Sequence, residues 1–400
     1  MKVAVIGMGY VGLSNAVLLS LKNNVVCHDI DASKLECINK RVSPIKDSLI
    51  TSYFKNEKLK LTTSDYIDNE IAMSDFILIA TPTDLNAKKN IFNTSSIDVI
   101  LKKLNSLKSS ACIVIKSTLP IGYTKKINLL YKKLKIYFSP EFLREGRALY
   151  DNLYPSRIII GGKDKDAKQF VNLLKKSCLK KNIKTLFMDS SEAESVKLFA
   201  NSYLATRISF FNELDSFVMT NEMDSKQIID GICSDPRIGD GYNNPSFGFG
   251  GYCLPKDSKQ LLASFDTIPN SIIKALNRSN QLRKKHIVDD LLKTKVKNIG
   301  IYLLAMKKGS DNFRESSIID IIKLLKNKGK NIFIHEPLIT DQSKIYGCTL
   351  INDFDLFINK VNLIVTNRAS SKLKKVLKRF IQEIYTEKTN VSQNKLYQRR

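Results

Sequence analysis

The sequence has few histidines, no paired cysteine motif and no long apolar run, and each shortage excludes a class of protein. His28, His286 and His335 are the three histidines in 400 residues, too dispersed to predict a metal site. The seven cysteines are scattered and odd in number, which does not predict a disulfide framework. No apolar stretch approaches the roughly 20 residues that cross a bilayer, and the first residues are typical of a strand, not of a signal peptide. We therefore expect a cytoplasmic protein with no metal and no membrane insertion.

Acidic residues are also scarce, with 39 Asp and Glu against 64 Lys and Arg and a formal net charge of +25. A balance of this kind raises the question of nucleic-acid binding. The lysines are spread over most predicted helices, however, and only residues 372–400 are clearly enriched. Two interpretations stay open: a solvated lysine-rich surface, or a field that attracts anionic ligands such as nucleotides. The absence of an arginine-rich arm argues against a nucleic-acid partner.

What the sequence has in abundance is an alternation of short apolar runs with amphipathic stretches. Continuous apolar runs are typical of strands covered on both faces, and their alternation with helices predicts a parallel sheet. The predicted strands of the first half are Val3–Gly7, Val25–Asp29, Phe76–Ala80, Cys112–Lys116, Ile136–Ser139, Arg157–Ile160 and Thr185–Met188.

The pattern becomes helical in the middle of the chain and then alternates again. Long helices are predicted over Ser191–Met219 and Ile272–Lys293, on either side of a loop rich in Gly, Asn and Pro at 239–256. The sequence thus predicts an α/β chain with two Rossmann-like doubly wound sheet domains joined by a central helical region. The expected domains are 1–190, 191–295 and 296–385, followed by a frayed, basic polar tail at 386–400. In the last domain, strands are predicted at Ile299–Leu303, Ile332–His335 and Leu363–Thr366, with a helix at Ser316–Lys328.

A glycine motif follows the first predicted strand. Gly7, Gly9 and Gly12 form G-x-G-x-x-G between a strand and a helix, the context in which such a turn binds a dinucleotide pyrophosphate. Asp29 ends the next strand, where a carboxylate accepts hydrogen bonds from ribose hydroxyls and repels a 2′-phosphate. The motif therefore predicts NAD in preference to NADP. The alternative is a glycine turn in a sheet domain that binds nothing.

Cys253 lies in the most unusual segment, FGFGGYCLPKD at 247–257. Its three glycines allow the backbone close access to a ligand. Lys256 and Asp257 follow the cysteine, and a cationic neighbour favours the reactive thiolate. A reactive thiol is one interpretation, and a buried structural cysteine is the other.

Three further polar groups are candidates for a site. Glu194, Lys197 and Asn201 share one face of a predicted helix, where a lysine and an amide could hold an oxyanion or could simply be an exposed polar face. The segment SPEFLREG at 139–146 follows a strand and could bind a ligand or form a loop ion pair. Hydroxyls also follow strands at 81–83 and 117–118, where they could contact a cofactor or cap the next helices.

Taken together, these segments resemble the UDP-glucose/GDP-mannose dehydrogenase family, and in particular its short bacterial members that act on UDP-glucose. The resemblance covers nearly the whole chain, and its motifs occur in the family's order. They are GMGYVG, TPT, KSTLPIG, SPEFLREG, the E-x-x-K-x-x-x-N helix, PRIG, YNNPSFGFGGYCLPKD and KKGSDNFRES.

The resemblance implies an NAD-dependent four-electron oxidation of UDP-glucose at C6 to UDP-glucuronate. It implies that Cys253 is the nucleophile, through a thiohemiacetal and a thioester, with Lys197 and Asn201 as oxyanion stabilisers. Asp257 and Thr118 match residues that handle protons and position water, and Glu141 matches a residue near the hydrolytic step.

It also implies a set of ligand contacts. Arg237 matches an arginine that reaches across a homodimer to the partner's substrate. The implied NAD contacts are Gly7, Gly9, Val11, Gly12, Asp29, Lys34, Thr83, Thr118, Glu145, Lys256 and Arg314. The implied substrate contacts are Glu141, Phe142, Leu143, Arg144, Glu145, Lys197, Asn201, Arg237, Tyr242, Asn243, Asn244, Pro245, Ser246, Gly250 and Lys307.

Several alternatives stay open on the sequence alone. The same chemistry on GDP-mannose or a UDP-N-acetyl-hexosamine is the nearest. A noncatalytic NAD-binding protein on the same fold is another, against which the intact Cys253, Lys197, Asn201 and Asp257 argue. The sequence does not identify the proton acceptor of the first oxidation, the larger oligomeric state or the role of the basic tail.

Overall fold

The computed structural model describes residues 1–86, 90–304, 313, 316–340, 342–367 and 373, together with the backbone of Lys395–Gln398. The chain forms two compact units. The first comprises Met1–Ala200 and Lys259–Ile268, and the second comprises Asn201–Ser258 and the described residues from Pro269 onward.

The strands are numbered along the chain. They are β1 (Lys2–Ile6), β2 (Asn24–His28), β3 (Leu61–Thr63), β4 (Phe76–Ile79), β5 (Leu85–Asn86), β6 (Ile91–Phe92), β7 (Cys112–Ile115), β8 (Lys135–Phe138), β9 (Arg157–Gly161), β10 (Lys184–Met188), β11 (Asn298–Tyr302), β12 (Asn331–His335), β13 (Lys344–Ile345), β14 (Cys348–Leu350), β15 (Leu363–Thr366) and β16 (Lys395–Gln398).

The helices are numbered in the same way. They are α1 (Tyr10–Ser20), α2 (Ala32–Asn39), α3 (Ser48–Asn56), α4 (Asn69–Ala72), α5 (Ser95–Ser106), α6 (Tyr123–Leu130), α7 (Ala148–Leu153), α8 (Lys165–Ser177), α9 (Ser190–Thr220), α10 (Ser225–Cys233), α11 (Cys253–Phe265), α12 (Ser271–Lys293), α13 (Ser317–Asn327) and α14 (Phe354–Lys360).

The first unit is built on an eight-stranded sheet in the order β10-β9-β8-β7-β4-β1-β2-β3. Successive side chains of β1 enter opposite cores: Val3 and Val5 pack in one cluster, Ala4 and Ile6 in the other. Both faces are therefore covered, which explains why the strands are continuous apolar runs. The pairs are parallel except β8 with β9, which join antiparallel at Phe138 and Gly161.

The strand order reverses at β1, which pairs with β2 on one side and β4 on the other. In open α/β sheets the ligand binds outside the carboxyl ends of the strands at such a reversal. The turn after β1 is the glycine motif, so the topology places that motif at the expected binding position.

The second unit contains most of the central helices and a six-stranded sheet in the order β13-β14-β12-β11-β15-β16. Here β11 occupies the reversal, paired in parallel with β12 and β15. The predicted fold class, with two Rossmann-like sheets and a helical middle region, is confirmed. Within the tail that we expected to be frayed, the backbone of Lys395–Gln398 pairs in parallel with β15.

Other differences are local. The first helix begins at Tyr10, directly after the glycine turn, and includes Gly12. The antiparallel β5–β6 hairpin was not predicted, since strands of two residues carry no periodic signal. In the described part of the chain, no helix is both long and apolar enough to cross a membrane.

Candidate active site

The glycine turn has the geometry that a dinucleotide requires. Gly7 has a φ of +96°, and a Cβ there would lie 2.7 Å from the Ala80 carbonyl oxygen. A Cβ on Gly12 would lie 1.7 Å from the Gly7 oxygen, whereas one on Gly9 would meet no described atom within 4 Å. Helix α1 starts at Tyr10, and its N-cap residue is Gly9, which has no side chain to cap the helix. The open backbone at Gly9 and the helix start that follows it together fit a pyrophosphate.

Asp29 follows β2 and contacts this turn. One oxygen of its carboxylate accepts a hydrogen bond from the Met8 amide at 2.6 Å and lies 3.3 Å from Lys34 Nζ. The other oxygen accepts the Asp31 amide at 2.9 Å. The acid predicted to bind a ribose therefore also orders the glycine turn, and Lys34, another predicted NAD contact, stands against it.

Other predicted cofactor residues lie at neighbouring strand ends of the first unit. Thr83 is buried and donates its hydroxyl to the Thr118 carbonyl at 2.8 Å, which joins the segments after β4 and β7. Val11, Thr118 and Glu145 are half-buried. Lys256 belongs to the second unit, and Arg314 lies outside the described residues.

The segment after β8 carries a buried ion pair. Lys197 Nζ, on α9, lies 2.8 Å from Glu141 Oε1 and donates to the Glu141 carbonyl at 2.8 Å. The two side chains are 5% and 11% exposed, so the pair is shielded from water. Burial acts to raise the pKa of Glu141, but the Lys197 ammonium and its hydrogen bond lower the pKa by more. The pKa is therefore below its usual value, and this carboxylate stays ionised.

Lys116, which the sequence analysis did not single out, lies in the same cluster. It follows β7, is 7% exposed, and its Nζ lies 3.3 Å from Ser139 Oγ. Burial lowers its pKa to about 8, opposed by the charge of Glu141 and reinforced by that of Lys197. The signal was available in the sequence, because a lysine directly after four apolar strand residues is expected to be buried.

The remaining members of these two motifs have structural partners. Glu194 accepts the amides of Gly122 and Thr124 at 2.6 and 2.8 Å, at the start of α6. Burial raises its pKa, against these hydrogen bonds. Arg144 forms a two-pronged ion pair with Asp151, with distances of 3.0 and 2.6 Å. For Arg144, the loop ion pair left open in the sequence is therefore what the structure contains.

Two other predicted substrate residues flank this ion pair. The Leu143 amide donates to Glu141 Oε2 at 2.9 Å. The Arg157 guanidinium carbon lies 3.6 Å from the centre of the Phe142 ring, and Lys197 Nζ lies 5.6 Å from the same centre. These contacts hold the SPEFLREG segment against the carboxyl edge of the sheet.

In the second unit, Cys253 is the first residue of α11 and is half-buried. Gly251, with a φ of +80°, makes the turn into the helix. Pro255 is tolerated in the first turn, where an amide has no partner within the helix. A thiolate at this position is favoured by the positive end of the helix.

One helical turn further, Asp257 is completely buried and accepts a hydrogen bond from Asn201 Nδ2 at 2.5 Å. Its other oxygen lies 3.3 Å from Lys256 Nζ, which in turn stands 4.8 Å from the centre of the Tyr252 ring. Residues i and i+4 share a helix face, so Asp257 lies on the face that begins with Cys253. The structure thus brings Asn201, predicted from the motif on α9, to Asp257 of the motif that contains Cys253.

The predicted substrate loop precedes the cysteine. Pro245 is buried, Ser246 and Gly250 are half-buried, and Tyr242 and Asn244 are exposed. Asn243 Nδ2 lies 3.1 Å from Cys233 Sγ.

The two remaining predicted substrate contacts are Arg237 and Lys307. Arg237 has an 88% exposed side chain that bonds only with Asp235 among the described residues. Lys307 lies outside the described residues.

A glycine turn shaped for a pyrophosphate, a thiol at a helix start and buried Lys and Asn donors define a dinucleotide-dependent oxidoreductase fold with a covalent nucleophile candidate. Three family models match the chain in succession. The NAD binding domain of the UDP-glucose/GDP-mannose dehydrogenase family matches residues 1–178, its central domain 191–282 and its UDP binding domain 300–396. The chain belongs to the UDP-glucose/GDP-mannose dehydrogenase family.

Similar proteins agree with this assignment. A UDP-glucose 6-dehydrogenase of Campylobacter jejuni is 51% identical, over 94% of this chain and 96% of that protein. One of Streptococcus pneumoniae is 44% identical, over 94% and 97%. The solved structure of a UDP-glucose dehydrogenase from Pyrobaculum islandicum superposes with a TM-score of 0.82 at 25% identity, covering 91% of this chain and 89% of that one.

Proposed function

We propose that this chain catalyses the NAD-dependent oxidation of UDP-glucose to UDP-glucuronate with Cys253 as covalent nucleophile. The observation that carries the proposal is the position of Cys253 at the first residue of α11, half-buried, on the helix face where Asp257 binds Asn201. An alcohol-to-aldehyde oxidation alone needs no thiol, whereas oxidation to the acid needs a group that holds the aldehyde carbon.

The contrast with the other cysteines supports this choice. Cys27, Cys112, Cys233 and Cys348 are buried. Burial raises the pKa of Cys27 and of Cys112 to about 12, which keeps both thiols protonated and inert. Cys178, although half-buried, also has its pKa raised to about 11 by burial. Cys253 instead combines partial exposure with a helix N-terminus and a nearby lysine.

The residues of the glycine turn, Asp29 and Lys34 would hold NAD, which would supply the hydride acceptor for both oxidations. The C6 alcohol loses a hydride and a proton and becomes an aldehyde. Cys253 Sγ bonds to the aldehyde carbon, and the oxygen takes up a proton to give a thiohemiacetal. Loss of a second hydride and a proton leaves a thioester on Cys253. Water breaks the C–S bond, so the acid leaves and the thiol is restored.

The charged residues have distinct roles in these steps. Lys197 and Asn201 stabilise the negative charge that develops on the C6 oxygen. Asp257 and Thr118 handle protons and position water, and the ionised Glu141 assists hydrolysis of the thioester. Glu141 also holds Lys197, since the Lys197 ammonium contacts both its carboxylate and its carbonyl oxygen.

The choice of UDP-glucose follows from the relatives. Both curated relatives described above carry that activity in their names and match almost the full chain. The matched UDP binding domain supports a uridine nucleotide over GDP-mannose. An acetylated UDP-sugar, which the sequence left open, is the second candidate.

We also propose a homodimer. Tyr203, Phe210 and Phe217 recur every seven residues on α9 and are 63%, 58% and 63% exposed. An aromatic stripe of this spacing is typical of a helix that packs against another helix. The exposed Arg237 is then available to a partner's substrate. Light scattering should give twice the mass of one chain, and a monomer at micromolar concentration would contradict this.

The proposed compartment is the cytoplasm, supported by seven cysteines that form no disulfide.

The experiment that tests the function is the number of NADH formed per UDP-glucose with the sugar nucleotide limiting and NAD in excess. We expect the wild type to form two NADH per sugar. Cys253→Ser should form no NADH after the aldehyde stage, and its kcat should be lowered on the order of 10³-fold or more. Full turnover in Cys253→Ser would contradict the nucleophile. If UDP-glucose gives no NADH but an acetylated UDP-sugar gives two, the substrate is the acetylated sugar and the proposed oxidation still holds.

A further inference from the structure

The loop that leads to Cys253 is bonded through its backbone to buried side chains of three helices. Asn212 of α9 accepts the Ser246 amide at 2.7 Å, and Arg283 Nε of α12 donates to the Ser246 carbonyl at 2.9 Å. Asn212 is 1% exposed and Arg283 is 4% exposed. The backbone N–H and C=O of Ser246 are therefore both fixed by buried side chains.

The next residues are held in the same way. Ser317, the first residue of α13, donates to the Gly248 carbonyl at 2.9 Å, and Asn280 Nδ2 of α12 donates to the Phe249 carbonyl at 2.8 Å. Gly248 has a φ of +131°, and a Cβ there would lie 2.6 Å from Asn280 Oδ1. Only glycine fits at this point, so the loop is clamped in one backbone shape.

Arg283 is the centre of this clamp. Its guanidinium pairs with Asp215 at 2.5 Å and donates to Ser216 Oγ at 2.7 Å and to the Asn212 carbonyl at 3.2 Å. The side chains of Arg283 and Asp215 are 2% and 4% exposed. A buried ion pair adds little net stability compared with an apolar pair of the same volume, because its charges must be desolvated. A planar guanidinium does, however, fix several acceptors at once.

We propose that Arg283, held by Asp215, is a positioning residue that sets the shape of the loop 246–251 and through it the position and reactivity of Cys253. Arg283 does not need to touch the substrate. Its effect on turnover rests on the proposed function, whereas its effect on the Cys253 thiol does not, because the thiol can be probed without a sugar nucleotide.

The test compares Arg283→Met, Arg283→Lys and Asp215→Asn with Arg278→Met. Arg278 is an exposed arginine on the same helix, so its variant makes the same chemical change away from the loop. The first measurement is the rate of Cys253 alkylation by iodoacetamide, followed by peptide mass, with half-buried Cys37 as an internal reference. The second is kcat and the KM values for UDP-glucose and NAD. Melting temperature is recorded for every variant.

We expect Arg283→Met to change the alkylation rate of Cys253 but not of Cys37. We also expect kcat to fall on the order of 10²-fold, the cost of misplacing a reactive group by about 1 Å. The KM for NAD should stay unchanged, and Arg283→Lys and Asp215→Asn should give intermediate losses. Arg278→Met should behave as wild type.

A lowered melting temperature with normal Cys253 alkylation and normal kcat would overturn the proposal, because Arg283 would then act on stability alone. If Arg283→Met does not fold, the same criterion applies to Asp215→Asn and Arg283→Lys. If the wild type shows no activity with any sugar nucleotide but the alkylation rates still differ, the clamp stands and the proposed function fails.

Discussion

The two sheets of the molecule use the same arrangement at the second strand of each. In the first sheet, β2 ends at His28 and Asp29 follows. In the second, β12 ends at His335 and Glu336 follows. His28 Nδ1 lies 2.9 Å from the Ser64 carbonyl, and His335 Nδ1 lies 2.9 Å from the Ile351 carbonyl. The sequence analysis found only a likeness in architecture, but the likeness extends to a histidine and an acid.

The acids have equivalent contacts. Asp29 accepts the Met8 amide at 2.6 Å, and Glu336 accepts the Leu304 amide at 2.8 Å, each in the segment after the central strand of its sheet. In both sheets a carboxylate thus holds the turn that leaves the central strand. Because this carboxylate–amide contact occurs in both sheets, an acid at this position is by itself no evidence of a ribose site.

The turns themselves differ. The first has Gly7 in the left-handed region and an open backbone at Gly9. The second starts with Leu303 at a φ of +65°, where a branched side chain costs roughly 1 kcal/mol. Helix α1 follows the first turn at once. The glycines, rather than the acid, distinguish the dinucleotide site.

The largest expected effect is that of Gly12→Ala. The added Cβ would meet the Gly7 carbonyl oxygen at 1.7 Å, a backbone atom that cannot move without opening the turn. We expect loss of NAD binding and a fall of about 3 kcal/mol or more in the free energy of unfolding. The matched variant in the second sheet is Gly300→Ala, whose Cβ would meet the Phe357 ring at 2.6 Å. Gly300→Ala should be destabilised but should still bind NAD, as measured by calorimetric titration. Loss of NAD binding in both variants would contradict the comparison.

The next largest effect is a pH dependence of stability that we expect from Lys116 in the first sheet but not from its uncharged counterpart in the second. Burial lowers the pKa of Lys116 from 10.5 to about 8. Between these values the unfolded chain binds a proton that the folded chain lacks, so stability rises with pH across this window and the burial penalty is complete below about pH 8. Below pH 8, the free energy of unfolding of Lys116→Met should therefore exceed that of the wild type by at most about 3 kcal/mol, and this difference should shrink toward pH 10.

The control for this pH effect lies at the end of β15. Thr366 is buried there and donates to the Tyr302 carbonyl at 2.9 Å, but it carries no charge. Urea unfolding of Thr366→Val should differ from the wild type by the same amount at pH 7 and pH 10. A constant difference for Lys116→Met as well would show that Lys116 does not titrate in this range.

A smaller effect is expected for Asp29→Asn. The amide oxygen can still accept the Met8 amide, so the turn is kept, while the negative charge is lost. We expect the KM for NAD to rise about tenfold, which corresponds to roughly 1.4 kcal/mol, and the preference over NADP to weaken because a 2′-phosphate is no longer repelled. Steady-state kinetics with both cofactors measures this. An unchanged cofactor preference would mean that Asp29 serves the turn alone.

The parts of the site that were predicted from sequence share one property: their members are close in the chain. The glycine turn, Asp29, and Cys253 with Lys256 and Asp257 were read from local spacing. The contacts of Lys197 with Glu141, and of Asn201 with Asp257, join residues 56 positions apart. Neither contact was predicted; the family resemblance implied only that all four residues belong to the site.

Arg283 was missed for a physical reason. It lies in a stretch that reads as an ordinary helix, and the burial that makes it informative exists only after folding. Lys116 could have been found, because a lysine directly after four apolar strand residues is expected to be buried. Glu194 was found by its helix-face spacing, but its carboxylate accepts the amides of Gly122 and Thr124 at the start of α6.

The smallest effect sharpens the comparison most. Glu336→Gln keeps an oxygen for the Leu304 amide and removes the charge, the change that Asp29→Asn makes in the first sheet. If Glu336 only holds its turn, the variant should lose about 1 kcal/mol of stability, the difference between a charged and a neutral hydrogen bond, with the KM values for NAD and UDP-glucose unchanged. A rise in the KM for UDP-glucose like that of NAD in Asp29→Asn would instead show that the second carboxylate also binds a ribose, and that both sheets bind their nucleotides in the same way.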